Sequence, residues 1–125
     1  MEEILLSTSP GNPNRGDIWL VNLDPTVGAE IQKTRPAVIV SSDAMGILPI
    51  KPIAPVTGWD HRYAQNIWHI KITPDKTNNL EKASAVDVLQ LRGVDIRRLI
   101  RKIGRLSAGT MDDIVSAIAA VVEYK

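Results

Sequence analysis

A chain of 125 residues with 44% hydrophobic content has the material for one packed domain and no room for two; with 4% aromatics and no Phe, its core must rest on Val, Ile, Leu and Ala. Fifteen Lys and Arg against fourteen Asp and Glu leave a net charge of +1, short of the basic excess a duplex-DNA binder needs, although the cations crowd between Lys82 and Arg105 and leave a local nucleic-acid contact open. The lack of cysteine excludes disulfides, thiolate catalysis and Cys-ligated zinc, and no apolar run approaches a signal-peptide core or the ~18 residues of a membrane span, which points to a soluble, cytoplasmic protein.

Residues Ser7 to Asn14 read Ser-Thr-Ser-Pro-Gly-Asn-Pro-Asn, a string of breakers that predicts a loosely held arm over residues 1–14 and a domain over 15–125. Ile18–Leu23 is an apolar strand ended by the turn signal Asp24-Pro25. A polar loop follows from Thr26 to Arg35, with Gly28 inside it. Pro36–Val40 is short, β-branched and wholly apolar, as a buried central strand would be. A third strand over Pro49–Val56 carries Pro49, Pro52 and Pro55, whose missing donors predict an edge or a bulge. Asn66–Ile72 alternates, with Ile67, His69 and Lys71 on one face and Trp68, Ile70 and Ile72 on the other, which makes His69 a strand-surface residue. Ala83–Leu91 is a fifth strand candidate, Asp95–Leu99 a short helical turn and Ile100–Leu106 a further strand. Met111, Ile114, Val115, Ile118, Val121 and Val122 keep the spacing of an amphipathic helix, and Thr110, three residues before Asp113, predicts its start by a capping box. The sum is a mainly β protein with a C-terminal α-helix: a small, strongly bent barrel with the helix packed on it. Pattern alone does not attach a function to that fold.

The segment Arg15-Gly16-Asp17-Ile18-Trp19-Leu20-Val21-Asn22-Leu23-Asp24-Pro25-Thr26-Val27-Gly28-Ala29-Glu30 resembles the opening of the MazF/PemK toxin family. Its continuation Lys33-Thr34-Arg35-Pro36-Ala37-Val38-Ile39-Val40-Ser41 resembles that family's Arg-Pro strand. Weaker echoes follow at Ala54-Pro55-Val56-Thr57, at Ala83-Ser84 and at Gln90-Leu91-Arg92-Gly93-Val94-Asp95, so the resemblance runs from Arg15 to the C-terminus. It implies an SH3-like small β-barrel of the CcdB/PemK-like toxin fold, forming a homodimer with RNA-cleavage sites at the dimer face. It further implies a type II toxin that cuts single-stranded RNA, mRNA among it, at short sequences without metal or cofactor, leaving a 2′,3′-cyclic phosphate and a 5′-hydroxyl. The implied partners are the RNA and a cognate antitoxin that blocks the same groove, with DNA met only through the antitoxin and no membrane.

Such cleavage uses the substrate's own 2′-hydroxyl, so the protein must supply a base, an acid and positive charge for the pentacoordinate phosphate. Arg35, where a polar loop enters an apolar strand, can hold two phosphate oxygens with its fork and matches the family's catalytic Arg; the plainer reading is an ion pair with Glu30. Thr57 matches the second catalytic position and can bond a non-bridging oxygen; the plainer reading is a Thr bonding its own turn. Gly28, Glu30, Gln32 and Lys33 form a polar loop beside Arg35 suited to reading base edges, and Gln90 is a further candidate for base contact. Trp59 is placed to stack on an unpaired base, and His61 to approach the phosphate from the loop after Thr57. Trp19 reads as core or dimer packing. Two histidines without cysteine suggest no metal site.

PemK-like members carry an Arg/Asp pair and a His at positions that here hold Asp87, Leu89 and Ala29, so the Arg/Thr arrangement of MazF-like members fits better and the general base stays open. Two rivals from other classes remain. A CcdB-like toxin binding DNA gyrase would need a Trp-containing C-terminal end, whereas this chain ends Val122-Glu123-Tyr124-Lys125. An inactive barrel that only binds antitoxin is the second.

Overall fold

The first apolar run folds as strand β1 (Asp17–Asn22) in a computed structural model that describes residues 12–124. Most of the arm expected over residues 1–14 therefore lies outside the described residues; Pro13 is buried, and the Asn14 backbone N–H donates to Asp17 Oδ2 at 2.9 Å. The other strands are β2 (Thr34–Ile39), β3 (Ile50–Gly58), β4 (His69–Ile72), β5 (Ser84–Asp87), β6 (Arg92–Asp95) and β7 (Leu99–Arg105), followed by helix α1 (Ala108–Val121). Every pairing is antiparallel, in the order β4-β5-β3-β2-β1-β7, with β6 also on β3. The end strands β4 and β7 do not pair, so the bent sheet is not closed.

β3 corrects the edge-strand expectation. It is the most connected strand, pairing with β2, β5 and β6. Its prolines are tolerated because of where their missing donors point. Val40 N donates to Pro52 O at 3.2 Å, which fixes the hydrogen-bonding alternation. Pro52 then faces the side of β2 just past its end at Ile39, and Pro55 faces the opposite edge, where β6, paired as far as Ile53, gives way to β5, paired from Val56. No ladder asks either residue for an N–H.

The long strand expected over Ala83–Leu91 is instead β5, a 3-10 turn at Val88–Gln90 and then β6, which the sequence reading missed. Asp87 makes the break: its side chain caps the turn by accepting from Leu89 N at 3.0 Å. The helical turn expected near Asp95 is a 3-10 turn at Ile96–Arg98, capped by Asp95.

Alternation divides the sheet's apolar residues between two cores. Ile18, Val38, Ala54, Val56 and Val86 face α1, which contributes Met111, Ile114 and Ala117, while Trp68 and Ile70 pack against the margin. Trp19, Val21, Leu23, Ala37, Ile39, Ile53 and Val94 form the second core, closed by Ile31 and Leu99. The helix starts earlier than its capping-box signal: Ser107, not Thr110, is the N-cap, with Oγ accepting from Thr110 N at 3.2 Å. Of the expected apolar stripe, Val115 and Val122 are exposed.

Asp17 anchors the start of β1. Its carboxylate is buried and is held by Arg105 at 3.0 Å, by Lys102 at 3.4 Å and by the Trp19 indole N–H at 3.5 Å. Among the described residues no helix is long and apolar enough to cross a membrane.

Candidate functional site

Arg35 is the second residue of β2, where pairing with Val21 fixes its backbone, and it is half-buried. It shares a face with Ala37, which pairs with Pro55 of β3. Continuing that register by two residues sets Arg35 opposite Thr57 on the same face. Thr57 in turn pairs with Ala85, and Ala85 with Lys71. Thr57, Ala85 and Lys71 thus form one paired cross-strand row over three adjacent strands, and Arg35 continues it on the same face of β2, two residues past that strand's last pairing with β3 at Ala37.

The Glu30–Arg35 ion pair does not form. Glu30 Oε1 accepts from Val27 N at 2.6 Å within its own loop, and the Arg35 Nε–H donates to Gln32 O at 3.3 Å. Thr57 lies in the β3–β5 ladder, one residue before the strand's end at Gly58.

The loop between β1 and β2 brings Gly28, Glu30, Gln32 and Lys33 beside Arg35. Asp24 ties its ends together, Oδ1 accepting from Lys33 N at 2.9 Å, and Leu23 N donates to Lys33 O at 2.9 Å. Gly28 has φ +59° at an open apex, and Lys33 has φ 72°. All four residues are exposed. Gln90 reaches the same loop from the turn after β5, its Oε1 accepting from Ile31 N. Between them opens a cleft of about 410 Å³ lined by Glu30, Ile31, Pro55, Leu89, Gln90 and Arg92.

Trp59 and His61 sit at the other end of the row, after β3. Trp59 meets Tyr63 edge to face at 5.9 Å, and Lys71 Nζ lies 5.1 Å from its ring centroid, so the indole is held as a platform beside the row. His61 is 95% exposed, 3.7 Å from Asp60. Asp60 caps the 3-10 turn His61–Gln65, and the Arg62 side chain, then the Arg62 backbone N–H, hold its carboxyl well below the ordinary carboxylate range.

Lys71 of the row and three of its neighbours, Tyr63, Asp87 and His69, were not among the site residues expected from the sequence. His69 corrects the surface assignment. Its side chain is 8% exposed, stacked on Tyr63 at 3.8 Å and 9°, with Nε2 3.7 Å from Asp87 Oδ2. The alternation did put His69 and Lys71 on one face; what covers His69 is the His61–Gln65 turn folding back, which no periodicity announces. Trp19 is buried in the second core, as expected.

The family described as PemK-like, MazF-like toxin of type II toxin–antitoxin system matches residues 14–122. Endoribonuclease MazF9 of Mycobacterium tuberculosis is 31% identical, over 83% of this chain and 91% of its own length. The crystal structure of MazF from Deinococcus radiodurans superposes with a TM-score of 0.74 at 20% identity, covering 89% of this chain and 96% of that one. An endoribonuclease from a mycobacterial species, solved in complex with its cognate antitoxin, gives a TM-score of 0.72 at 17% identity, covering 91% and 98%. Nearly the whole chain is accounted for in sequence and in fold, and it belongs to the PemK-like, MazF-like toxins of type II toxin–antitoxin systems.

Proposed function

We propose that this toxin is a metal-independent, sequence-specific endoribonuclease acting on single-stranded RNA, mRNA included, in the cytoplasm, and that a cognate antitoxin blocks it. The observation that carries the reading is the juxtaposition of Arg35 and Thr57 on neighbouring strands, on one face, at the foot of an exposed polar loop. The reading is supported by the relative that bears the name endoribonuclease and by the structure of a similar toxin with its antitoxin.

In the reaction the substrate's 2′-oxygen forms a bond to phosphorus, its proton passes to a base, and the bond from phosphorus to the 5′-oxygen breaks as that oxygen gains a proton. The products are a 2′,3′-cyclic phosphate and a 5′-hydroxyl. Arg35 stabilises the one extra negative charge that gathers on the phosphoryl oxygens as the monoanionic diester becomes a dianionic phosphorane, and the Thr57 hydroxyl donates to one non-bridging oxygen. Lys71 extends the positive row toward the neighbouring phosphate, and Trp59 offers a ring for an unpaired base to stack on. Gly28, Glu30, Gln32 and Lys33 face the bases on the other flank, while His61 reaches the phosphate end. The active form is a homodimer.

The deciding experiment incubates the protein with a long single-stranded RNA in excess EDTA and maps both ends of each fragment. Discrete cuts bearing cyclic phosphate establish the activity. Intact RNA, with the protein folded and free of antitoxin, removes it.

A further inference from the structure

We propose that Gln90, Asp87 and His69 are positioning residues: a partly buried polar relay that fixes the loop between β1 and β2 to the turn between β3 and β4, holding the two flanks of the Arg35–Thr57 row in one arrangement. The proposal rests on the nuclease reading for its consequence, and on geometry alone for its existence.

The relay can be followed contact by contact, through hydrogen bonds from Ile31 to Asp87 and then a 3.7 Å approach of His69. The Gln90 amide is used at both ends. Its Oε1 accepts from Ile31 N in the loop, and its Nε2–H donates to Asp87 Oδ2 at 3.2 Å. Asp87 ends β5, pairs with His69 in the ladder and has a side chain 9% exposed. A carboxylate that far from water requires donors, and it takes them from Gln90 and from Leu89 N at 3.0 Å. Its remaining approach is filled by His69, whose Nε2 lies 3.7 Å away. On the far side of the ring, Asn66 Nδ2 donates to Nδ1 at 3.1 Å, which leaves the ring proton on Nε2, facing Asp87. Tyr63 of the β3–β4 turn covers the ring.

The chemistry is directional. Ile31 N can only donate and Asp87 can only accept, so the group between them must offer an acceptor on one side and a donor on the other. A primary amide does so; a carboxylate of the same size does not. With both ends engaged, Gln90 acts on substrate through the loop it holds, and the loop carries Glu30, Gln32 and Lys33.

The test is backbone amide exchange at Ile31, followed by NMR on the free protein. Gln90→Leu should speed that exchange by roughly tenfold or more, the loss of one bond to a constrained amide. His69→Leu, which removes no hydrogen bond of Ile31 or Gln90, should speed it too, with Val38 in the β2–β3 ladder unchanged as the mark of an intact fold. His69→Gln, which keeps a donor toward Asp87 and an acceptor toward Asn66, should restore the slow rate. On RNA, Gln90→Leu should raise KM by roughly tenfold with a smaller fall in kcat, and should broaden the set of sequences cut. Wild-type exchange at Ile31 in the His69→Leu protein would overturn the relay, as would equal rates in the Leu and Gln variants of His69. An inactive wild type would remove the nuclease reading and leave the exchange comparison standing on its own.

Discussion

Arg35 is held by the Val21 pairing at its backbone and by a single 3.3 Å bond from Nε, so its terminal nitrogens have no carboxylate to satisfy among the described residues. Its removal should be felt in the reaction and not in the fold. Arg35→Ala is expected to cut kcat by ~10²-fold or more, the usual cost of losing a positioned charge on a developing oxyanion, with urea unfolding near that of the wild type. Thr57→Ala, losing one neutral donor, should cost roughly ten- to a hundredfold in kcat with little change in KM. Parallel cleavage kinetics and urea melts check both, and an active Arg35→Ala protein would remove the assignment. Asp60 gives a prediction in pH. Its folded-state pKa is depressed, chiefly by the Arg62 side-chain bond, so the stability it contributes is present above the ordinary aspartate value and is lost only as pH falls through the lower, folded one. The carbon-13 carboxyl signal of Asp60 should therefore titrate well below ~4, and Arg62→Ala should raise its midpoint toward that ordinary value while the backbone N–H of residue 62 keeps it below.

At the scale of elements, α1 depends on a cap that the sequence disguises. Ser107 and Thr110 are both capping types, and the signal Thr110…Asp113 is sound as a pattern; packing decided for Ser107 by bringing Met111 and Ile114 against the sheet one turn earlier. Ser107→Ala should cost about 1 kcal/mol and Thr110→Ala less, read as a shift in the urea midpoint. Where periodicity is strong, elements were legible: β1, β2, the Trp68/Ile70/Ile72 face and the apolar spine of α1. Where a polar side chain interrupts the backbone they were not. Asp87 splits what reads as one strand into β5, a turn and β6, and the two prolines of β3 read as an edge because the exchange of partners along its flank is a tertiary fact. The site followed the same division. Arg35 and Thr57 were legible through the Arg-Pro and Pro-Val-Thr motifs, and the loop residues through their polarity. Lys71 and His69 of β4, Asp87 at the end of β5 and Tyr63 of the His61–Gln65 turn are brought together only by strand register and the fold-back of that turn.

Across the molecule, β7 and the loop after β4 meet so closely that one glycine sets their distance. A Cβ on Gly104 would stand 2.3 Å from Asn78 O, and Asn78 is itself buried and bonded to Thr73 O and Asp75 N. That contact is backbone, which cannot swing aside. Gly104→Ala should destabilise by about 3 kcal/mol, seen in the urea midpoint, and pushing β7 outward should also loosen Lys102 and Arg105 from Asp17.

The three tryptophans fall in three different surroundings. Trp19 is sealed in the second core, Trp68 lies at the margin of the first, and Trp59 stands half-open between Tyr63 and the Lys71 ammonium. In optical terms the chain carries a separate built-in lamp for each core and one for the site. With Trp19 and Trp68 replaced by Phe, the remaining emission should be the reddest of the three and should dim on RNA binding; keeping only Trp19 would give a signal deaf to substrate and responsive to unfolding alone.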